Sequence, residues 1–310
     1  MKPPLFITES DVLGKMRWRD VVESMRQGHQ LARAVTRDVV IGEPDRSFLN
    51  RVAWIESLGG GMKSVTVFTE NANKCLPAVQ GAFLLFDDET GSLKAVIDSG
   101  LITKWKTAAD SALGAQLLAR KNSSKAVVIG AGALASALAD AYAHMMPQLA
   151  KIVIWARKAE QAQKLADSIE DQRVVAAKRA LEDCVRSADI IITATSSPTA
   201  VINGDWISPG AHVDLVGAFR SDMRESDDEL MRKAKIFVDS RDTTIDHIGD
   251  LTLPIANGAI QRTDVLGDFY DLINGAEGRS SEKDITVFKN GGGAHLDLMT
   301  ATMIYDAARK

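Results

Sequence analysis

Residues 126–145 read AVVIGAGALASALADAYAHM: an apolar run, a turn bearing two glycines, then a stretch dominated by alanine and leucine. The apolar run suits a strand buried on both faces, the usual state of a parallel strand between helices. The string Gly130-Ala131-Gly132-Ala133-Leu134-Ala135 follows, and strong helix formers come directly after it. A strand, a G-x-G-x-x-A turn and a helix in that order mark the opening of a dinucleotide-binding unit. Gly130 permits the tight turn, Gly132 lets backbone approach a pyrophosphate, and Ala135 lets the helix lie close. The N–H groups at Ala133 and Leu134, at the helix start, then face the phosphates.

Outward from this stretch the rhythm repeats. KIVIWA (151–156), RVVAA (173–177), DIIITAT (189–195), HVDLVG (212–217) and KIFVD (235–239) are short apolar strands at the spacing of an α/β unit. Six such strands predict a doubly wound parallel sheet of Rossmann type, with ligands collecting where the strands run out at their carboxyl ends. Thr195 and Ser196 after the fourth strand, and Val216 and Gly217 at the end of the fifth, are therefore candidate dinucleotide contacts, although the hydroxyls could equally cap a helix. The second strand ends in Ala156-Arg157-Lys158, where a protein selecting NAD usually carries an acid for the ribose hydroxyls. Two cations suit a 2′-phosphate, since Arg pairs with it bidentately. NADP(H) is favoured and NAD(H) possible.

Upstream the texture differs. Residues 11–35 space their apolar positions as a helix does, whereas SVTVFTEN (64–71), GAFLLFD (81–87) and LKAVIDS (93–99) are β-rich. The turn DETGS between the last two predicts an antiparallel meander. LITKWKTAADSALGAQLLARK (101–121) predicts a helix capped by Thr103. The expectation is a smaller α+β domain over 1–115 plus 291–310, the last helix returning to it, and a Rossmann domain over 116–290.

Composition narrows the class. The chain has 310 residues, 45% of them apolar and 25% charged, with a net charge of −4, which gives no electrostatic reason to bind nucleic acid or an anionic membrane. No apolar run reaches transmembrane length or forms a signal peptide. Cys75 and Cys184 have no pairing or ligand spacing and read as core thiols in a reducing cytoplasm. The five histidines are scattered and suggest no metal.

Read in order, GGGMKSVTVFTEN (59–71), TGSLKAVIDSGLITKWKTAADSALGAQLLA (90–119), VVIGAGALA (127–135) and VGAFRSDMRESDDELMRKAKIFVDS (216–240) resemble the ornithine cyclodeaminase/mu-crystallin family. GDL (249–251) and GRSSEKDITVFKNGGGA (278–294) continue the resemblance, which covers nearly the whole chain from about Arg46. It implies a homodimer of two-domain subunits acting on amino or imino acids with a nicotinamide cofactor. It makes Lys63 the substrate-facing, catalytic lysine and Arg46 the cation for the substrate carboxylate, with Arg51 as second choice. Lys106-Thr107 stands where the family commonly has Arg-Thr, a site shared by substrate and cofactor, and Asn290 falls in a loop close to the nicotinamide. Lysine keeps the charge but loses the two-pronged bond of arginine.

One departure bears on the reaction. Cyclodeaminase members carry an aspartate at the bend after the fifth strand, where this chain has Phe219. A phenyl ring shuttles no proton, and general acid–base work is typically worth about 10²–10⁴-fold in rate. The resemblance thus implies NAD(P)H-dependent reduction of a small cyclic imino acid, Δ1-pyrroline-2-carboxylate to L-proline or its piperidine homologue to L-pipecolate, with Phe219 as an apolar wall. An ornithine cyclodeaminase with bound NAD, an alanine-type amino-acid dehydrogenase and a non-catalytic NADP(H)-binding protein are the alternatives.

Overall fold

The computed structural model describes residues 3–43, 45–74 and 76–310. Cys75 lies outside the described residues, so its reading as a core thiol has no structural counterpart; Cys184 is a free, buried thiol. The chain divides into two compact units, Met1–Lys106 with Gly293–Lys310 and Thr107–Gly292. The expected boundaries after residues 115 and 290 differ from these, because the first division falls inside a continuous helix.

The first unit is a six-stranded sheet in the order β1-β6-β5-β4-β3-β2. Its strands are β1 (Leu5–Ile7), β2 (Val35–Glu43), β3 (Arg46–Ile55), β4 (Gly59–Phe68), β5 (Val79–Phe86) and β6 (Leu93–Asp98). β2 to β6 pair antiparallel in sequence, forming the expected meander, and β1 adds to β6 in parallel. The β5–β6 turn closes because Gly91 adopts φ 64° and Asp87 accepts from the Thr90 N–H and hydroxyl.

Alternation along the strands sets the two faces. In β3, Ser47, Ala53 and Ile55 are buried and Arg51 half-buried, whereas Arg46, Phe48, Val52 and Trp54 are exposed. The inner face is covered by α2 (Trp18–Gly28), which follows the short α1 (Glu9–Val12), and by the C-terminal helix Ala294–Ala308, which packs on α2, β3 and β4. That helix therefore returns to the first unit. The helical reading of 11–35 is broken at residues 13–17 and ends at Gly28.

Helix α3 (Ser99–Leu118) begins earlier than its expected cap. Asp98 Oδ1 accepts from the Leu101 N–H at 2.9 Å, while Thr103 lies one turn inside and bonds back to the Ser99 carbonyl at 2.8 Å. Asp98 stands just before the first turn and caps it, while Thr103 is already inside the helix, where its hydroxyl can only bond back to the preceding turn.

The second unit is an eight-stranded, wholly parallel sheet in the order β13-β12-β14-β11-β10-β7-β8-β9. β7 (Lys125–Ile129), β8 (Lys151–Trp155), β9 (Val174–Ala176), β10 (Ile190–Thr193), β11 (His212–Leu215) and β12 (Lys235–Val238) are the six expected strands. β13 (Val265–Gly267) and β14 (Thr286–Lys289) are two more, and β14 is inserted between β11 and β12. The helices are α4 (Ala133–Met145), α5 (Ala159–Asp167), α6 (Leu181–Arg186), α7 (Asp228–Lys233), α8 (Arg241–Thr244), α9 (Gly249–Ala256) and α10 (Phe269–Ile273); the C-terminal helix is α11. From β7 the chain runs outward to β8 and β9, then returns to β10 on β7's other side, so the crevice opens after β7 and β10.

Behind that crevice lies a buried polar knot. Asp214 of β11 accepts from the Tyr142 hydroxyl at 2.8 Å, and burial pushes its carboxyl up to about 7. The native state keeps this proton to near pH 7, whereas the unfolded chain releases it near 4. Native protein thus binds more protons between those values, and Asp214's contribution to stability falls as pH rises through them. Relative to wild type, Asp214→Asn should therefore gain stability from pH 4 to 7, by up to about 4 kcal/mol, and no further above pH 7. Chemical denaturation of both proteins at each pH measures the gap; a gap independent of pH would refute the assignment.

Candidate active site

The glycine turn after β7 fits a dinucleotide. Gly130 adopts φ 139°, and a Cβ there would stand 2.5 Å from the Ala194 carbonyl oxygen, so the turns after β7 and β10 touch and only glycine fits. Gly132 has ordinary backbone angles, and a Cβ there would meet nothing within 4 Å. Open space beside a helix start, where the N–H groups of Ala133 and Leu134 lack intrahelical acceptors, is what a pyrophosphate requires. Ala135 is fully buried against the strand.

Arg157 and Lys158 follow β8 and are exposed, and neither makes an ion pair among the described residues. Thr195 donates both its N–H and its hydroxyl to Glu225 at 2.7 Å, so it caps no helix, while Ser196 is exposed. Val216 is buried, Gly217 is half-buried and donates its N–H to Glu225 at 2.6 Å, and Phe219 stands out from the bend at 61% exposure. Phe219 is thus not a core residue. Asp222 is paired with Arg220 in solvent. Asn290 is 4% exposed, and its amide donates to the Thr107 carbonyl and the Ser111 hydroxyl, both at 3.0 Å; its side-chain nitrogen ties α3 to the end of β14.

In the first unit the inner face gathers cations. Lys63 of β4 is 8% exposed, and its Nζ donates to Thr103 at 3.2 Å and lies 3.4 Å from Asp297 of α11. Burial pushes the Lys63 ammonium below the usual lysine range; Asp297 opposes this, and Lys106 and Arg51 reinforce it. Arg51 pairs across the sheet with Lys63 on one side and Asp38 on the other, binding Asp38 at 2.9 Å. Lys106 is 5% exposed and makes no hydrogen bond or ion pair among the described residues. His295 is held neutral, pushed down to about 3 by burial and by Lys106, Arg33 and Arg51; its ring meets that of His29 edge-on at 5.3 Å.

Arg46 is not in this cluster. It occupies an even position of β3, five residues from Arg51 and so on the opposite face, where its guanidinium lies over Phe68. Trp54 shares that outer face at 45% exposure, and Trp105 stacks on Trp18 at 4.2 Å, so neither shields the cluster. From sequence, Asp297 is a candidate in the final helix without an assigned role, and His295 is one of five scattered histidines. Their signal was faint but present: HLDLM puts an acid between leucines at the start of an apolar helix. Oδ2 of Asp297 is buried without a hydrogen-bond partner, beside an excess of positive charge. Among the described residues no group of acids, histidines and cysteines is placed to hold a metal, and no helix is long and apolar enough to cross a membrane.

A Rossmann unit with a fitted glycine turn, joined in one chain to a unit bearing a buried cation cluster, defines a nucleotide-dependent enzyme acting on a small anionic substrate. The chain belongs to the ornithine cyclodeaminase/mu-crystallin family, whose sequence profile matches residues 55–310. It is 52% identical over 303 residues to the Δ1-pyrroline-2-carboxylate reductase of Paracoccus denitrificans, covering 97% of this chain and 96% of that protein. The structure of the Thermococcus litoralis Δ1-pyrroline-2-carboxylate reductase in complex with NADH and L-proline superposes with a TM-score of 0.92 at 28% identity, over 98% of this chain and 97% of that one. An archaeal alanine dehydrogenase dimer with bound NAD superposes at 0.91 with 27% identity, over 99% and 96%.

The glycine turn gives a direct test. Gly132→Ala should fold with wild-type stability, since its Cβ meets no protein atom, yet lose dinucleotide affinity by tenfold or more, on the order of one lost charge-assisted hydrogen bond. NADH fluorescence titration beside thermal melting checks both halves; unchanged affinity would remove the turn from the cofactor site.

Proposed function

We propose that this chain is an NAD(P)H-dependent imine reductase that converts Δ1-pyrroline-2-carboxylate to L-proline. The observation that carries the reading is the cation cluster on the inner face of the first unit. Lys63 meets one buried carboxylate, Asp297, while Lys106 and Arg51 lie near enough to repel the Lys63 ammonium; Arg51 is bonded to Asp38, and Lys106 has no partner of its own among the described residues. A buried ammonium is costly unless an anion meets it. An α-carboxylate supplies that anion, and Arg51 and Lys106 are assigned to hold it, Arg51 taking the place first expected of Arg46. The six-membered Δ1-piperideine-2-carboxylate fits the same reading, since one methylene is worth only about 1–3 kcal/mol of discrimination.

When bound, the dinucleotide supplies the hydride that ends on the imine carbon. Lys63 is assigned the proton that goes to the ring nitrogen. Its ammonium is poised for this: burial makes it a stronger acid than a surface lysine, while Asp297 keeps it charged. Phe219 offers an apolar surface at the carboxyl end of β11 and no proton, which favours a ready-made imine over expulsion of an amine. Arg157 and Lys158, exposed and unpaired after β8, support NADP(H) as the preferred cofactor with NAD(H) accepted.

Consumption of NADPH or NADH with pyrroline- and piperideine-carboxylates, beside ornithine without added nucleotide, tests the reaction. Imine reduction with no ammonia from ornithine is expected, and ammonia release would favour a cyclodeaminase. A strong preference for NADH would reject the NADP(H) assignment. Lys63→Met should lose at least about a hundredfold in kcat/KM. Arg51→Met should raise the imine KM by roughly tenfold to a hundredfold, whereas Arg46→Met should leave it near wild type; the opposite ranking would restore Arg46 to the site.

The chain is also proposed to form a homodimer. The edge strand β2 and the outer face of β3 expose Val35, Val39, Val40, Ile41, Val52 and Trp54, an apolar surface of the kind that marks an interaction site. Sedimentation at micromolar concentration should find two copies, and a monomer would refute the proposal.

A further inference from the structure

Glu225 is fully buried among the acids of the charged bend that follows β11. Four donors converge on its carboxylate: the Thr193 hydroxyl, the Thr195 N–H and hydroxyl at 2.7 Å each, and the Gly217 N–H at 2.6 Å. Three come from the end of β10 and the loop after it, the fourth from the loop after β11. Gly217 has no space for a side chain here, since a Cβ would stand 2.0 Å from the Thr195 carbonyl oxygen and 2.6 Å from Glu225 itself.

The acid is anchored in turn. Its N–H donates to Asp250 at 2.7 Å, and its carbonyl accepts from Val201 and Ile202. Asp250 pairs with Lys289 of β14 at 3.1 Å, and the Lys289 ammonium also donates to the Leu215 and Ala218 carbonyls. The β11 bend is therefore gripped twice, by its N–H through Glu225 and by its carbonyls through Lys289.

We propose that Glu225 is a positioning residue of the cofactor site, the clasp joining the loops after β10 and β11 so that both present a fixed surface to the nicotinamide half of the dinucleotide. This rests on the reading that the dinucleotide lies across the carboxyl ends of β7, β10 and β11. The glycine turn after β7 and the end of β8 serve the adenosine half and its phosphates, and no bond from Glu225 reaches them. Only an ionised carboxylate can accept all four bonds. Glutamine offers one acceptor oxygen and turns an N–H group toward the remaining donors.

The test compares NADH with ADP-ribose, which keeps the adenosine and both phosphates but lacks the nicotinamide. Titration calorimetry on Glu225→Gln should show NADH binding weakened by roughly tenfold to a hundredfold, the scale of lost hydrogen bonds to a buried charge, with ADP-ribose affinity unchanged. In steady state the KM for NADH should rise while the KM for the imine stays put. Equal losses for both ligands, or no loss for NADH, would overturn the clasp. Failure of the wild type to bind either ligand would overturn the cofactor reading and the clasp with it. Thr195→Val removes one of the four donors at nearly constant volume; it should give the same split in milder form, and its absence there counts equally against the proposal.

Discussion

Lys289 is fully buried at the carboxyl edge of the parallel sheet, so its charge has to be met within the protein. It is paired with Asp250 and with two carbonyls of the β11 bend. Such a cluster is a poor source of net stability, because desolvation of the ions offsets most of their attraction. Removing one member, however, leaves an uncompensated buried charge and costs about 3–5 kcal/mol. The cluster therefore acts by excluding other loop conformations. Ends of parallel strands leave backbone groups without sheet partners, and here buried side chains supply those partners in a single arrangement.

The first unit uses charge the other way. The Lys289 ammonium has two carbonyls and a carboxylate around it, whereas Lys106 is nearly as buried and has no hydrogen bond or ion pair among the described residues. Asp297 is the carboxylate in contact with Lys63, and repulsion from Lys106 and Arg51 loosens that ammonium's hold on its proton. A satisfied cluster fixes a fold, while an unsatisfied one is ready for an anion. That difference, more than the identity of any one lysine, separates the structural cations of this chain from those assigned to substrate.

How far the sequence could be read follows from where each residue's surroundings lie. The glycine turn and six strands were legible because local pattern determines them: a buried parallel strand is an apolar run, and a phosphate turn needs glycine at fixed places. β13 was missed because VLG holds only two apolar side chains, one of them exposed, whereas the equally short β9 lies in the apolar run VVAA. β14 was missed because TVFK ends in a lysine whose burial depends on Asp250 far away in sequence. Arg46 and Arg51 could not be separated because β3 is apolar on both faces: Phe48, Val52 and Trp54 on one, Ala53 and Ile55 on the other. Alternation is informative only when one face is polar. Glu225 gave no signal at all, since it sits among Asp222, Asp227, Asp228 and Glu229, and only tertiary contacts distinguish this fully buried acid from its exposed and half-buried neighbours.

Phe219 and Asp297 together bear on the direction of the chemistry. The bend after β11 offers no free acid: position 219 is a phenylalanine, Asp222 is paired with Arg220 in solvent, and the buried Glu225 carboxylate is taken up by four donors. A carboxylate does enter the first unit's cluster, but from α11, and its Oδ1 is in contact with the Lys63 ammonium. Its Oδ2 is buried without a hydrogen-bond partner among the described residues. Asp297 opposes the loss of charge from Lys63, and it stands on α11 and not at the bend after β11. The acids near Phe219 are thus each committed to a partner within the protein, which agrees with the proposed reduction of a ready-made imine.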